Sequence, residues 1–460
     1  HRLTRRRPRL VLATAAALLA ATVGLVSCSS YAPPASSPSS PAPRPQRPAA
    51  APPAAPPAAP ASRFPARMPL TAVSQEPLVR VRVVSGSPRA TLGGAPALLV
   101  AADANAQPVT LAAPVTVART GGAFVLTPAR GQGLRWAVPA LIVRPSAGPT
   151  LTVGDKTYPG SVVLLEAQDE DGRPVAGVDV INHVPLETYV PGVLEHELYA
   201  AWEPAAYRAQ AVAVRSYALD RVARARARDF DLESTTASQI YGGSATRPKA
   251  TAAARATFGQ VLAFDGHVVP AYYSSDTGGQ GQDAAIAFPG ERPIAPLAAY
   301  DRGAWSQQAG SKKFRWGPIR RDRADLARRI AAWGAAQKTR HPVADLRGLS
   351  SVAVATRNRV GRAAGFTLVD GTGRSFNMSP EEFRFACNFA GAGPLPPALQ
   401  LPSSNVAIAA AGPTITFTGA GFGHGVGLCQ WGAQGMARQG HSHDAILAAY
   451  YPGAALVKAY

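Results

Sequence analysis

Residues 178–219 read VDVINHVPLETYVPGVLEHELYAAWEPAAYRAQAVAVRSYAL, and the character of the chain turns over inside this stretch. Val178-Asp179-Val180 closes a series of short alternating runs. Beyond it, Tyr207, Ala211, Val214, Ala218 and Val222 recur at three- and four-residue spacing, the period of one helix face. Pro185, Pro191 and Pro204 each suit a first helical turn. The spacing therefore predicts a short helix over 186–190, another opening at Pro191, and a longer one over 204–225.

Working outward, the N-terminal side carries β-type runs at 79–84, 97–101, 115–118, 123–126, 141–143 and 161–166. Turn residues fall between nearly all of them, which points to antiparallel pairing. On the C-terminal side strands are expected at 259–264, 268–273, 352–355, 365–369 and 414–418, with helices over 322–333 and 443–450. No internal repeat is evident. The expected fold class is α+β, strand-rich and largely antiparallel, with inserted helices. The body divides into a β-rich part over 71–182 and a region over 183–460 that holds the chemistry.

The rest of the 460 residues is of a different kind. Residues 29–70 are a Pro/Ala/Ser tract that holds most of the proline excess, and such a composition cannot bury enough apolar surface to fold. It reads as an extended spacer with a reach on the order of 100 Å. Ahead of it, Arg2, Arg5, Arg6, Arg7 and Arg9 precede an apolar run at 10–26 that is short and Ala-rich, suiting a signal peptide over 1–28. That run ends in Leu25-Val26-Ser27-Cys28, which resembles a bacterial lipobox, so Cys28 is the expected lipidation site and the membrane a partner through that lipid. The competing readings are an ordinary signal peptide or a short anchor.

The formal net charge of +19 suits nucleic acid, anionic lipid or an anionic wall polymer equally. No zinc-finger spacing or aromatic nucleic-acid pattern appears, so no nucleic-acid partner is expected. Lys312, Lys313, Arg315, Arg320, Arg321 and Arg323 form a basic stretch, either a solvated surface or a face toward wall carboxylates. Cys387 and Cys429 either pair or lie buried separately. The Gly-rich stretch at 419–435 has neither Gly-Lys-Ser/Thr nor G-x-G-x-x-G, which excludes phosphate and dinucleotide loops. A metal site is disfavoured, since His441 and His443 sit two apart in a polar turn. A nucleophile pair of Cys429 and His424 lacks an orienting acid.

Arg208-Ala209-Gln210-Ala211-Val212-Ala213-Val214-Arg215-Ser216-Tyr217-Ala218, preceded by Gly192-Val193-Leu194-Glu195-His196-Glu197, resembles the defining segment of the SpoIID/LytB family. Ser238-Gln239-Ile240-Tyr241-Gly242-Gly243, the run from Ala271 to Gly279 (AYYSSDTGG), the run from Gly421 to Ala433 (GFGHGVGLCQWGA) and Tyr450-Tyr451-Pro452-Gly453 follow in the family's order. The resemblance implies an extracytoplasmic envelope protein acting on peptidoglycan glycan strands, either as a lytic transglycosylase or as a non-catalytic activator of an N-acetylmuramoyl-L-alanine amidase.

By the same resemblance Glu197 is the expected catalytic acid, and Arg215, Gln239, Tyr241, Ser274, His424 and Gln430 are expected at the substrate. No cofactor is implied. Some relatives carry His and Cys zinc ligands where this chain has Ser274 and Asp276. Glu195 and Glu197, two apart on a helix, point in different directions and cannot straddle a glycosidic bond as a pair. A single carboxyl suffices where the muramic C6 hydroxyl is the nucleophile, provided an apolar site raises its pKa. Leu194, Leu198, Tyr199 and Trp202 supply apolar neighbours in sequence. Arg215 reads as either a core ion pair or a substrate contact, and His424 either bonds substrate or Glu197 or locks its own loop.

Overall fold

The computed structural model describes residues 67–168, 173–225 and 228–460. The expected signal peptide, Cys28 and nearly all of the expected spacer lie outside the described residues. Two sheets form the N-terminal part of the body. A seven-stranded sheet is centred on Leu78–Ser87, Pro174–Pro185 and Ser161–Gln168, and a six-stranded sheet runs from Lys156–Pro159 to Leu134–Trp136. Pairing is antiparallel throughout except where Leu78–Ser87 meets the short strand Leu232–Glu233 in parallel. Alternate residues point inward, as the pleat demands: Leu98, Val100, Leu141, Val143, Val162 and Leu164 from one sheet, Leu92, Val115, Val117 and Leu126 from the other, all fully buried in one core.

The strand Pro174–Pro185 runs without a loop into helix α1 (Leu186–Glu197), followed by α2 (Pro204–Arg224) and α3 (Pro248–Ala256). Here the sequence expectation fails at one point. Pro191 sits inside a single continuous α1 rather than opening a second helix. An interior proline costs about 3 kcal/mol through its missing N–H and its clash with the preceding turn. Leu186, Tyr189, Val190, Val193 and Leu194 are all fully buried by keeping the helix straight through it. At roughly 1.5–3 kcal/mol for each large apolar side chain, burial outweighs the break.

Helix α2 is enclosed on all sides, with every residue from Ala209 to Asp220 buried. Its alanines and valines let α1, α3 and the strand Gln260–Phe264 approach closely. The remaining helices are α4 (Ala284–Ala287), α5 (Trp305–Gln308), α6 (Arg323–Ala336), α7 (Pro380–Cys387), α8 (Gln430–Arg438) and α9 (His443–Tyr450). The expected strand at 268–273 is mostly irregular: His267–Val268 pairs with Gln260–Phe264, and Tyr273–Ser274 pairs in parallel with Leu428–Cys429.

A second, separate core is built by α6, α7 and two three-stranded sheets, around Ile319, Leu326, Ile330, Phe366, Phe383 and Phe417. Arg362 joins it to the rest. Its fully buried guanidinium donates to the carbonyls of Thr277, Gln280 and His424 at 3.2, 3.0 and 3.1 Å. Desolvation by burial lowers its pKa to about 10, and the carbonyls it meets favour the cation. The basic stretch splits: Lys312, Lys313, Arg315 and Arg320 are exposed, while Arg321 turns inward to the carbonyls of Cys387 and Leu399. Cys387 belongs to the second core and Cys429 to the first, and both are free thiols. The pairing alternative is therefore not realised.

Candidate active site

Glu197 is the last residue of α1. It is held there by a close approach that only glycine permits. The loop 238–243 lies directly on α1, and a Cβ on Gly242 would sit 1.8 Å from the His196 ring, while one on Gly192 would meet the Gly243 carbonyl at 2.1 Å. That contact brings the backbone N–H of Ile240 to Glu197 Oε1 at 3.0 Å. From the far end of the chain, Gln430, the first residue of α8, donates through Nε2 to Glu197 Oε2, also at 3.0 Å.

Burial raises the Glu197 pKa above the ordinary carboxylate value, opposed in part by the Ile240 N–H, Gln430 and Tyr273. The negative end of α1's dipole adds to the upward push. The Tyr273 hydroxyl is buried and faces the carboxylate without closing a well-formed hydrogen bond to any group. Burial and the nearby Glu197 charge raise the phenol's own pKa well above its ordinary value. The result is a partly desolvated carboxyl with a backbone donor, an amide donor and a neutral phenol around it. Such a group keeps its proton to higher pH than an ordinary carboxyl and has donors ready for its ionised form. Glu195 is otherwise engaged: it takes the backbone N–H groups of Thr246 and Arg247 and sits on the opposite side of the helix end.

The other expected contact residues divide. Arg215 is fully buried, its guanidinium bidentate on Glu187 at 2.7 and 2.8 Å with a third bond to the Gln260 carbonyl. Gln239 accepts from the Tyr189 hydroxyl at 2.9 Å and donates to the Val214 carbonyl. Tyr241 donates to Asn182 at 3.0 Å and packs its ring on Tyr189. All three have their polar atoms engaged inside the core, and Gln239 and Tyr241 anchor the loop that carries Ile240.

Ser274 is buried beside Tyr273, with its hydroxyl unpartnered among the described residues. His424 accepts through Nδ1 from the Val426 N–H at 3.0 Å and sets its ring edge on Phe288. That bond lies within its own loop. Burial lowers its pKa to about 4, so the ring is neutral at physiological pH. Cys429 caps α8, its sulfur accepting from the Gly432 N–H at 3.3 Å, and burial pushes its thiol up to about 12. Among the described residues no group of three or more His, Cys, Asp or Glu stands together as a metal site.

Tyr273 was missed from the sequence, although it lies in a quoted motif. An aromatic in a short apolar run carries no local mark of facing a carboxyl.

The family model for stage II sporulation protein (SpoIID) matches residues 175–264, which span the strand into α1, all of α2 and α3, and the loop carrying Ile240. An uncharacterised protein of Brachyspira hyodysenteriae is 28% identical over 66% of this chain and 74% of its own length. Stage II sporulation protein D of Bacillus subtilis is 24% identical over 61% of this chain and 76% of its own. The amidase enhancer of Bacillus subtilis is 25% identical over 58% of this chain, which spans only 40% of that protein. The motif order, the matched segment and these relatives agree, and over these stretches the chain is similar to proteins of the SpoIID/LytB family.

Proposed function

We propose that this protein is a cell-wall lytic transglycosylase that cleaves the MurNAc–GlcNAc bond of peptidoglycan glycan strands, peptide-stripped ones in particular. The observation that supports it is the Glu197 carboxyl, raised in pKa by burial and gripped by Ile240 and Gln430, with no second carboxylate bonded to it. Protonated Glu197 gives its proton to the glycosidic oxygen as that bond breaks. The resulting carboxylate takes the proton of the muramic C6 hydroxyl as the oxygen closes on C1. The product is a 1,6-anhydromuramic end, no water is consumed, and Glu197 is returned to its protonated form.

Gln430 and the Ile240 N–H stabilise the carboxylate stage, and the apolar surroundings favour the acid stage, so the group is poised between them. The setting is extracytoplasmic, with lipidation at Cys28 tying the chain to the membrane and residues 29–70 as the tether. Among the described residues no helix is long and apolar enough to cross a membrane.

The similarity to an amidase enhancer favours a second reading, in which the body binds the wall and activates an N-acetylmuramoyl-L-alanine amidase. Incubation with peptide-free glycan strands and mass spectrometry of the products decides between the two. The expected result is fragments with 1,6-anhydromuramic ends from the parent and none from Glu197→Gln. Reducing ends would mean hydrolysis and overturn the single-carboxyl mechanism. Intact strands that remain bound would favour the amidase reading.

A further inference from the structure

The connector between α1 and α2, residues 198–203, is pinned along its length. Arg247 donates to the Leu198 carbonyl at 2.8 Å, the Tyr207 hydroxyl to that of Tyr199 at 3.1 Å, and Lys249 to those of Ala200 and Trp202 at 2.9 and 2.7 Å. The Glu203 N–H is taken by Gln434 of α8 at 2.8 Å. Surface connectors ordinarily leave such groups to water and stay mobile. This one is fixed from α2, α3 and α8 together.

What it presents is aromatic. Tyr199 is 61% exposed, while Trp202 beneath it is 4% exposed. Their ring centroids are 5.4 Å apart, and Trp431 stands 5.6 Å from Tyr199 and 5.0 Å from Trp202, edge-on to the latter. Holding a large ring in water on an ordered backbone is unfavourable for folding alone, since entropy is lost and little apolar area is buried.

The cluster is continuous with the proposed acid on both of its elements. Tyr199 follows Glu197 by two residues at the end of α1. Trp431 directly follows Gln430, whose amide holds Glu197, and its N–H bonds the Ser275 carbonyl beside Tyr273. Arg247 and Lys249, the cations that pin the connector, are turned onto its carbonyls, so the ledge offers aromatic faces rather than those charges.

We infer that Tyr199 and Trp431, floored by Trp202, form a saccharide subsite that stacks the C–H face of an uncharged N-acetylhexosamine ring, beside the bond offered to Glu197. A pyranose matches an aromatic ring in area and leaves its equatorial hydroxyls to solvent and to the polar groups around Glu197. The identity of the sugar rests on the transglycosylase reading, but its binding does not require turnover.

The test uses the full chain carrying Glu197→Gln, so that strands are bound and not cut, titrated with peptide-free glycan strands and followed by intrinsic tryptophan fluorescence and by co-sedimentation. Adding Tyr199→Ala or Trp431→Ala is expected to weaken binding about tenfold, the scale of one lost stacking contact. Tyr199→Phe is expected to keep the parent affinity within about twofold. Parent affinity in both alanine variants would overturn the subsite, whatever the chain is found to cleave. Should Trp431→Ala fail to fold, Tyr199→Ala, on an exposed ring, carries the test. Loss of binding in the ring variants would support the subsite even if no strand is ever cut by the parent, which separates this inference from the mechanism.

Discussion

Gln430 donates to the carboxylate of Glu197 at 3.0 Å across 233 positions of sequence, so one amide from the C-terminal part of the body completes the environment of a residue on its first long helix. The donor favours the ionised form, and its loss lets burial raise the Glu197 pKa further. In Gln430→Ala the limb of the pH–rate profile on which activity falls as the acid ionises is therefore expected to move to higher pH. kcat near neutrality should fall about tenfold as the carboxyl loses its positioning contact. Initial rates of anhydromuramic-end formation across pH check both; an unmoved limb would refute the role given to the amide.

The raised pKa of Glu197 has a consequence for folding. A carboxyl whose folded pKa lies above its unfolded one binds more protons in the native state between the two values. Stability therefore falls as pH rises through that window. Glu197→Gln removes the charge and keeps an acceptor for Ile240, so it is expected to raise the melting temperature at pH 7.5 and to lose that advantage at pH 4. Thermal unfolding at the two pH values is the measurement. A variant less stable than the parent at both would contradict the desolvation argument.

Arg215 and Glu187 form a buried bidentate pair, and removing one partner leaves the other charge without compensation. Arg215→Leu is expected to lose about 3–5 kcal/mol of stability. Arg215→Lys should recover only part of this, because an ammonium cannot span both carboxylate oxygens and the Gln260 carbonyl. Chemical denaturation midpoints decide it. A soluble, fully stable Arg215→Leu that fails only in glycan binding would return this residue to the substrate.

Gly242 permits the contact that aims the Ile240 N–H. Gly242→Ala places a methyl group within 1.8 Å of the His196 ring, so the loop must shift and activity is expected to drop at least tenfold. The obstructing group is an exposed side chain, and the double variant Gly242→Ala/His196→Ala should restore most of the loss. Rates of the parent, the two single variants and the double variant form the cycle. Absence of rescue would mean that the backbone rather than His196 sets the constraint.

The α+β class was legible because the strand runs alternate cleanly and α2 keeps its helical period through Ala211, Val214 and Ala218. The helix boundaries were less so, for identifiable reasons. Pro191 reads as a helix start, and the burial of α1's apolar face on both sides of it in sequence overrides that reading. Helix α8 is masked by glycines that disfavour a helix, yet Gly432 and Gly435 are needed where the Tyr450 hydroxyl and the Trp305 carbonyl come within 2.0 and 2.2 Å of a Cβ. Helix α7 was not expected either, although the Ser379–Glu382 capping box is a local signal that marks its start. The motifs named both Glu197 and Gln430, which the fold brings into contact. They could not distinguish the polar residues that face outward from those that brace the core, because Arg215 and Gln239 are satisfied by Glu187, Tyr189 and Val214, and no local pattern announces such partners.

The buried guanidinium of Arg362 bears on how this protein can be cut down or recombined. Residues 316–419 look like a detachable insertion, with their own core and their own sheets. Yet the side chain that this segment sends out is the donor on which the carbonyls of Thr277, Gln280 and His424 depend, and Gly425 lacks a side chain where Arg362 passes, with a Cβ there falling 2.5 Å from the guanidinium. A minimal version made by excising the segment would leave those carbonyls facing a hollow, in the stretches that adjoin the strand pair Tyr273–Ser274 and Leu428–Cys429. The segment is thus a keystone of the glycine-rich loop, which cannot keep its shape once that arginine is removed with it.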